Sequence, residues 1–257
     1  MALRFSGRVA LIAGGAGGIG RAVACLLAKE GARVLVADRR AEAAAEAAAA
    51  IGPAAQALTL EVTDEDAWSR ALDVADGLGG PDIVVAAAGV AHAAPLVDLR
   101  LSEWRRVMAV NLDGAFLAVR AGLRAMREHG RGGAVVVVSS ASGLKAVPNT
   151  AAYGAGKAAL GQLVRVAALE GAPDRVRVNA VVPSGVETPM WEGMPFFRDL
   201  RDRDGEAAAY AALSAQTPLR RFAKAEEVAE AIAYLASDAA AYVTGTELVI
   251  DGGYTAG

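Results

Sequence analysis

Ala134-Val-Val-Val-Val138, and the residues that follow Asp82 in Asp82-Ile-Val-Val-Ala-Ala-Ala-Gly89, are apolar without interruption. A strand with one face in water alternates apolar and polar side chains. A strand that is apolar throughout is covered on both faces, as happens inside a parallel sheet flanked by helices. The rest of the chain repeats the same rhythm. Strands are expected over 8–13, 33–37, 54–60, 82–89, 134–138, 175–182 and 246–250. Between them lie stretches of helical character at 21–30, 41–51, from Thr63 or Asp64 onward, 102–129, 153–171 and 225–236. Ser102 is placed as the cap of the long helix, with Gly114 and Gly122 as points where it bends. No internal repeat or linker divides the sequence, so residues 1–257 are read as one α/β domain. The expected architecture is a doubly wound, parallel, seven-stranded sheet with helices on both faces.

The first strand, Arg8-Val-Ala-Leu-Ile-Ala13, runs into a glycine cluster at Gly14, Gly15, Gly17, Gly18 and Gly20, and a helix follows. Strand, glycine turn and helix together suit a dinucleotide. The missing side chains admit a pyrophosphate to the backbone, and the helix N-terminus offers donors and a partial positive charge. The second strand delivers Asp38, eighteen residues past Gly20. A carboxylate there accepts hydrogen bonds from the adenosine ribose and repels a 2′-phosphate, which favours NAD over NADP. Asp38 could instead cap the helix over 41–51, and Arg39 beside it could accept the phosphate.

At the end of the fifth strand stand Ser139 and Ser140, and thirteen residues beyond Ser140 comes Tyr153, followed by Lys157. Tyr153 and Lys157 are four apart in an Ala-rich stretch, so they share a helix face. A phenol titrates near ~10, and moving it to ~7 takes roughly 4 kcal/mol of differential interaction from a neighbouring ammonium. Such a pair can trade a proton with an alcohol at neutral pH, and Ser140 can bond the same oxygen. Taken alone, Tyr-x-x-x-Lys on a helix is ordinary surface decoration. Asn111, polar within Val107-Met-Ala-Val-Asn-Leu, is either a satisfied buried amide or the holder of a water.

Composition excludes several other classes. A net charge of −3 gives no basic field for nucleic acid. The single cysteine, Cys25, rules out an intrachain disulfide framework, and His92 and His129 are too few and too scattered for zinc. No apolar run reaches the ~18 residues of a membrane span, and the opening Met-Ala-Leu-Arg-Phe-Ser-Gly-Arg lacks a signal-peptide core, so a cytoplasmic protein is expected. The segment 190–216 breaks the alternation and concentrates Trp191, Met194, Phe196 and Phe197 beside a charged patch. It reads as a lid over an apolar ligand, or equally as an oligomer contact.

In this order and spacing the residues resemble the short-chain dehydrogenase/reductase family in its compact, single-domain Rossmann form. The resemblance covers essentially the whole chain. It is carried by Gly14-x-x-x-Gly18-Ile-Gly20, Asp38, Ala88-Gly89, Asn111, Ser140, Tyr153-x-x-x-Lys157, Asn179, Thr188 and the ending Val243-Thr-Gly-Thr…Asp251-Gly-Gly. It implies Tyr153 as catalytic acid/base and Ser140 as the group that polarises the substrate oxygen. Lys157 would lower the phenol pKa and bind the nicotinamide ribose, and Asn111 would hold a proton-relay water. The implied cofactor bed is Gly14, Ala16, Gly17, Ile19, Asp38, Glu61, Val62, Ala88, Gly89, Tyr153, Lys157, Pro183, Val186 and Thr188. Substrate contacts fall to Ser184, Leu144, Trp191 and Phe196, and a homotetramer or homodimer is implied.

Four departures from the family pattern stand out. Ala13 replaces a threonine, and Ala86-Ala-Ala-Gly89 replaces an Asn-Asn-Ala-Gly; losing two hydrogen-bonding partners together need cost little. Glu61 replaces an aspartate, and Ser184 adds a side chain between Pro183 and Gly185. The activity implied is NAD-dependent interconversion of a secondary alcohol and a ketone, on an apolar or cyclic substrate. The alternatives are a non-catalytic nucleotide-binding scaffold on the same fold, or an NADP-dependent ketone or 3-oxoacyl reductase.

Overall fold

The computed structural model describes residues 3–257; Met1 and Ala2, on which the reading of the N-terminus partly rests, lie outside them. Seven strands form one sheet: β1 (Val9–Ala13), β2 (Arg33–Asp38), β3 (Ala55–Thr59), β4 (Ile83–Ala86), β5 (Gly133–Val138), β6 (Val176–Pro183) and β9 (Glu247–Ile250). Their order is β3-β2-β1-β4-β5-β6-β9, and every pairing is parallel. The period of two along each strand divides the core. Leu11, Leu35, Val84, Val135 and Val137 point to one face; Ile12, Val34, Val36, Val85 and Val136 point to the other. Helices α3 (Glu65–Asp76), α5 (Gly114–His129) and α6 (Ala151–Gly171) cover the first face. Helices α1 (Gly18–Lys29), α2 (Ala41–Ile51) and α9 (Ala225–Ala236) cover the second. That is why β4 and β5 can be apolar throughout.

Strand order reverses between β1 and β4, and the crevice outside the carboxyl ends at such a switch point is the usual ligand position in these sheets. Two local devices shape that end. Ala13 and Ala86 are register partners, both buried, so the two alanines that depart from the family pattern face each other. Among the described residues no buried side-chain nitrogen or oxygen lacks a hydrogen bond, so the double replacement strands nothing. At the far side Asn179 fastens β6 to the approach of β9. Its Nδ2 donates to Val243 O (2.9 Å) and its Oδ1 accepts from Thr246 N (3.2 Å).

Two expectations need correction, and a third segment gains detail. The helix over 102–129 is two helices, α4 (Leu101–Met108) and α5, joined by a π turn at Ala109–Asp113. Its irregularity thus sits around Asn111 and ends at Gly114, whose missing side chain lets the chain press on Val62; Gly122 lies inside regular helix. Ser102 lies inside α4, and the N-cap is Arg100, with no side-chain capping bond. The expected lid is two further helices, α7 (Pro195–Asp204) and α8 (Glu206–Leu213). They are bracketed by a two-stranded parallel sheet, β7 (Val186–Glu187) with β8 (Ala223–Lys224), too short to announce itself in the sequence. Asp64, by contrast, caps α3 as expected, accepting from Asp66 N at 2.9 Å.

Candidate active site

The glycine turn forms one wall of the crevice, and its glycines do different jobs. A Cβ on Gly14, at φ +78°, would lie 2.6 Å from Ala88 N, so this residue lets the turn press on the chain leaving β4. A Cβ on Gly20 would lie 2.2 Å from Gly14 O, so α1 and the turn pack backbone to backbone. Gly17 faces open space instead, with only Arg40 Nη2 near, at 3.7 Å. Gly17 is also the N-cap of α1 and makes no side-chain capping bond, which leaves backbone donors of the first helical turn to a ligand. Ala16 is buried behind it, and Ile19 is half-buried in the first turn. Open space at Gly17 beside uncapped donors is what a pyrophosphate requires, so these residues fit a dinucleotide.

Asp38 ends β2, and its carboxylate accepts from Arg40 N (3.1 Å) and Nε (3.3 Å). It does not cap α2; Arg40 holds that position. The guanidinium beside Asp38 is therefore Arg40, not Arg39, and it bridges Asp38 and the Gly17 turn. Glu61 Oε1 accepts from Thr63 N and Oγ1. Val62 is buried beneath Gly114, and its carbonyl accepts from Trp68 Nε1 at 2.9 Å, so the Val62 side chain belongs to the core.

The opposite wall is β5 with α6, stitched twice. Ser139 Oγ donates to Lys157 O (3.1 Å), and Lys157 Nζ donates back to Val138 O (2.7 Å). Ser140 follows in extended conformation (φ −164°) and accepts from Ser142 N at 3.2 Å. One turn before Lys157 stands Tyr153, its ring centroid 5.8 Å from Lys157 Nζ. Asn111 proves to be a satisfied amide. Its Oδ1 accepts from Val90 N (2.9 Å), and its Nδ2 donates to Val90 O (2.8 Å). A methyl group on Gly89 would sit 3.2 Å from Asn111 Oδ1 and 3.9 Å from Lys157 Nζ, so both converge on the backbone leaving β4. Ser140, Tyr153, Lys157 and Asn111 thus share one end of the crevice.

The charges differ from the expectation that Lys157 depresses the phenol. Burial pushes the Tyr153 phenol above its ordinary value, and the neighbouring Ser140 hydroxyl pulls it partly back. Burial also brings the Lys157 ammonium down from 10.5 to about 8. Lys157 spends its short bond on Val138 O and does not contribute to the phenol's shift. Burial thus favours the protonated form of the Tyr153 phenol, which stands beside the Ser140 hydroxyl.

Above the crevice, Thr188 lies against the glycine turn, with its Cγ2 3.2 Å from where a Gly18 Cβ would be. Pro183 is buried at the end of β6, and the Val186 side chain packs into the α1/α9 core. Ser184 does not point at a substrate, because its Oγ donates to Asp251 O at 3.1 Å. Trp191 stacks on Phe222 (centroids 5.1 Å apart) and donates its Nε1 to Val186 O, so it is packed within the 190–222 segment rather than standing free. Phe196 is 40% exposed and Leu144 51% exposed, both with faces open to a ligand. Arg201 pairs with Glu192 and Asp202, and Arg203 with Asp204, so neither offers a free charge to an anion.

Sequence reasoning missed three residues. Met190 brings its Cε within 3.8 Å of a Gly89 Cβ position, directly over Asn111 and Lys157. Its only sequence signal is an apolar side chain after Thr188-Pro189. Arg40 was hidden behind its neighbour Arg39, and Ser139 behind Ser140.

A family model described as Enoyl-(Acyl carrier protein) reductase matches residues 14–255. The chain is 43% identical to a cis-4-hydroxycyclohexanecarboxylate dehydrogenase of Sinomonas cyclohexanicum, with 98% of each chain covered. It is 34% identical to an NADP-dependent (R)-specific alcohol dehydrogenase of Lentilactobacillus kefiri, again with 98% of each covered. Among solved structures, a short-chain type dehydrogenase/reductase from Mycobacterium marinum superposes with a TM-score of 0.90 at 36% identity, covering 100% of this chain and 98% of that one.

Proposed function

The chain belongs to the short-chain dehydrogenase/reductase family, and on that premise we propose that it interconverts a secondary alcohol and a ketone with NAD(H), on an apolar cyclic substrate. It is an oxidoreductase of CH–OH groups. The observation that carries this reading is the convergence of Ser140, Tyr153 and Lys157 at the mouth of a crevice whose other wall is the open Gly17 turn. The relative named for a hydroxycyclohexane acid and the exposed apolar faces of Leu144, Met190 and Phe196 support the substrate class. The matched model's description names an enoyl reductase, but neighbouring Ser140 and Tyr153 hydroxyls suit a hydroxyl or carbonyl oxygen, and we follow the site.

The bound cofactor supplies the hydride acceptor or donor; the chain supplies orientation and the proton. Ser140 and Tyr153 grip the reacting oxygen from two sides. In reduction the protonated phenol donates to that oxygen as negative charge builds on it. In oxidation Tyr153, as the phenolate, takes the proton of the alcohol hydroxyl, with the positive charge of the Lys157 ammonium four residues on along the same helix face. The glycine turn and the first turn of α1 would hold the pyrophosphate, and Asp38 would hold the adenosine ribose. Asp38 favours NAD, whereas Arg40, bonded to it and reaching Gly17, is the residue through which a 2′-phosphate would be accepted. We further propose a cytoplasmic homotetramer, supported by exposed Phe116 on α5, Val166 and Leu169 on α6, and Val249 on the edge strand β9.

Titration with NAD(H) and NADP(H), followed by a panel of cyclic and linear secondary alcohols, tests the reading. We expect NAD(H) to bind about tenfold tighter, a difference of roughly 1.4 kcal/mol, with turnover of a cyclic alcohol. A preference for NADP(H) would hand the decision to Arg40 and favour a ketone reductase. Binding without turnover of any panel member would return the protein to the scaffold reading.

A further inference from the structure

The stretch 251–257 touches three of the loops that border the crevice. Asp251 is buried, and its carboxylate accepts from Gly253 N (2.8 Å), Thr255 N (2.7 Å) and Thr255 Oγ1 (2.6 Å). Burial alone would raise this carboxyl, but these hydrogen bonds outweigh it and hold it low. The stretch is therefore folded on an ionised aspartate, with Gly252 and Gly253 at positive φ (61° and 88°). Its first contact is to the loop after β6, through the Ser184 hydroxyl on Asp251 O. Its second is to the far end of the lid, where Leu219 N donates to Gly252 O (3.2 Å) and Pro218 packs on Gly253. Its third is to the loop after the catalytic serine. Lys145 Nζ donates to Tyr254 O (2.9 Å) and Gly257 O (2.8 Å), and stands 4.8 Å from the centroid of the Tyr254 ring.

That third loop is anchored at both ends. At its start, Gly143 lies so close to α6 that a Cβ would be 2.9 Å from Ala158 N. At its end, Thr150 Oγ1 donates to Val147 O (2.8 Å), and Asn149 O accepts from Ala94 N (2.9 Å). Between these anchors stands exposed Leu144, and the side chain next to it is Lys145, whose two bonds run to residues more than a hundred positions away. Three donors on one ammonium meet two carbonyls and an aromatic face, a set that fixes a flexible side chain in one place.

We infer that Lys145 is a positioning residue: through the 251–257 stretch it holds the Leu144 loop against the lid end and so sets how bulky an alcohol the crevice accepts. This rests on the proposed activity. The Lys145 ammonium bonds Tyr254 O and Gly257 O, neither in the cofactor bed, so its effect separates from cofactor binding.

The test compares wild type, Lys145→Met and Lys145→Arg, using cyclohexanol and 2-propanol as substrates and NADH for binding. In Lys145→Met, KM for cyclohexanol should rise about tenfold, with KM for 2-propanol within about twofold and kcat unchanged. NADH affinity should stay at the wild-type value, and Lys145→Arg should restore KM. If Lys145→Met does not fold, a variant lacking residues 254–257 carries the same criteria. Equal KM values for both alcohols in wild type and variant overturn the inference, as does a parallel loss of kcat and NADH affinity. Hydrogen exchange over residues 141–150 gives a readout free of turnover, and it should quicken about tenfold in Lys145→Met. Unchanged exchange overturns the clamp even if the wild type oxidises neither alcohol, an outcome that would by itself sink the proposed activity.

Discussion

The β5–α6 wall and the cover built from residues 190–222 border the same crevice, yet they are made in opposite ways. In the wall and the π turn beside it, hydrogen bonds to backbone fix the polar side chains: Lys157 Nζ to Val138 O, Ser139 Oγ to Lys157 O, and Asn111 to both polar atoms of Val90. In the cover, aromatic rings hold one another. Trp191 lies on Phe222, Phe197 on Tyr210, and Tyr210 on Phe222, with centroids 5.0 to 5.6 Å apart. The wall is positioned by hydrogen bonds that admit one geometry. The cover is positioned by ring packing, which tolerates small displacements without leaving a polar group unpaired. A rigid catalytic wall under an adaptable apolar cover suits a reaction with fixed chemistry and variable substrate bulk.

This contrast can be broken most forcefully inside the cover. Phe197 is fully buried and Phe196 is 40% exposed, although they are adjacent and identical in type. Phe197→Ala should cost about 4 kcal/mol of stability in a denaturant titration, and Phe196→Ala less than about 1 kcal/mol. Equal costs would mean the rings do not form the cover's own core. In the floor, Gly20→Ala forces a Cβ to within 2.2 Å of Gly14 O, where only backbone can yield. It should destabilise by about 3 kcal/mol and abolish NAD(H) binding, while Phe197→Ala leaves the binding constant within about threefold. A cover variant that lost cofactor as completely as the floor variant would erase the distinction.

The smallest effect concerns charge in the wall. Lys157 has its pKa brought down to about 8 in the folded chain, against an ordinary 10.5. Between those values the unfolded chain binds the proton and the folded chain does not, so this group's contribution to stability improves as pH rises through 8 toward 10.5. The stability of the wild type relative to Lys157→Met should shift in the wild type's favour by on the order of 1 kcal/mol between pH 7 and 9. A flat difference across that window would show that the ammonium keeps its ordinary pKa, and with it the ability to act on Tyr153 at a distance.

The same contrast explains what could be read from the sequence. Strand periodicity, uninterrupted apolar runs and four-residue helix spacing are local, and they place β5, α6, Ser140, Tyr153 and Lys157 correctly. The glycine turn was legible for the same reason, since its demands are backbone demands. Long-range choices were not legible. Whether Trp191 faces a ligand depends on Phe222, thirty-one positions away, and on Gly185, which leaves the space that the Phe222 ring occupies. Ser184 was expected at the substrate, but an acceptor on Asp251 captures it. Arg40 rather than Arg39 meets Asp38 because the chain turns between β2 and α2, so the guanidinium two residues on comes back over the carboxylate. The depressed phenol pKa expected of a Tyr–Lys neighbour was likewise overridden by burial and by Val138 O, neither of which spacing reveals.

The account stands on Tyr153 as the proton-handling group of an alcohol/ketone interconversion, and Tyr153→Phe tests it most directly. The substitution removes one oxygen and leaves the ring packing in place. NADH affinity should remain within about twofold of wild type, while turnover of a cyclic alcohol that the wild type oxidises should fall by about a thousandfold. Turnover retained within about tenfold, with NADH still bound, would contradict the assignment of the proton to Tyr153 and with it the mechanism proposed for this site.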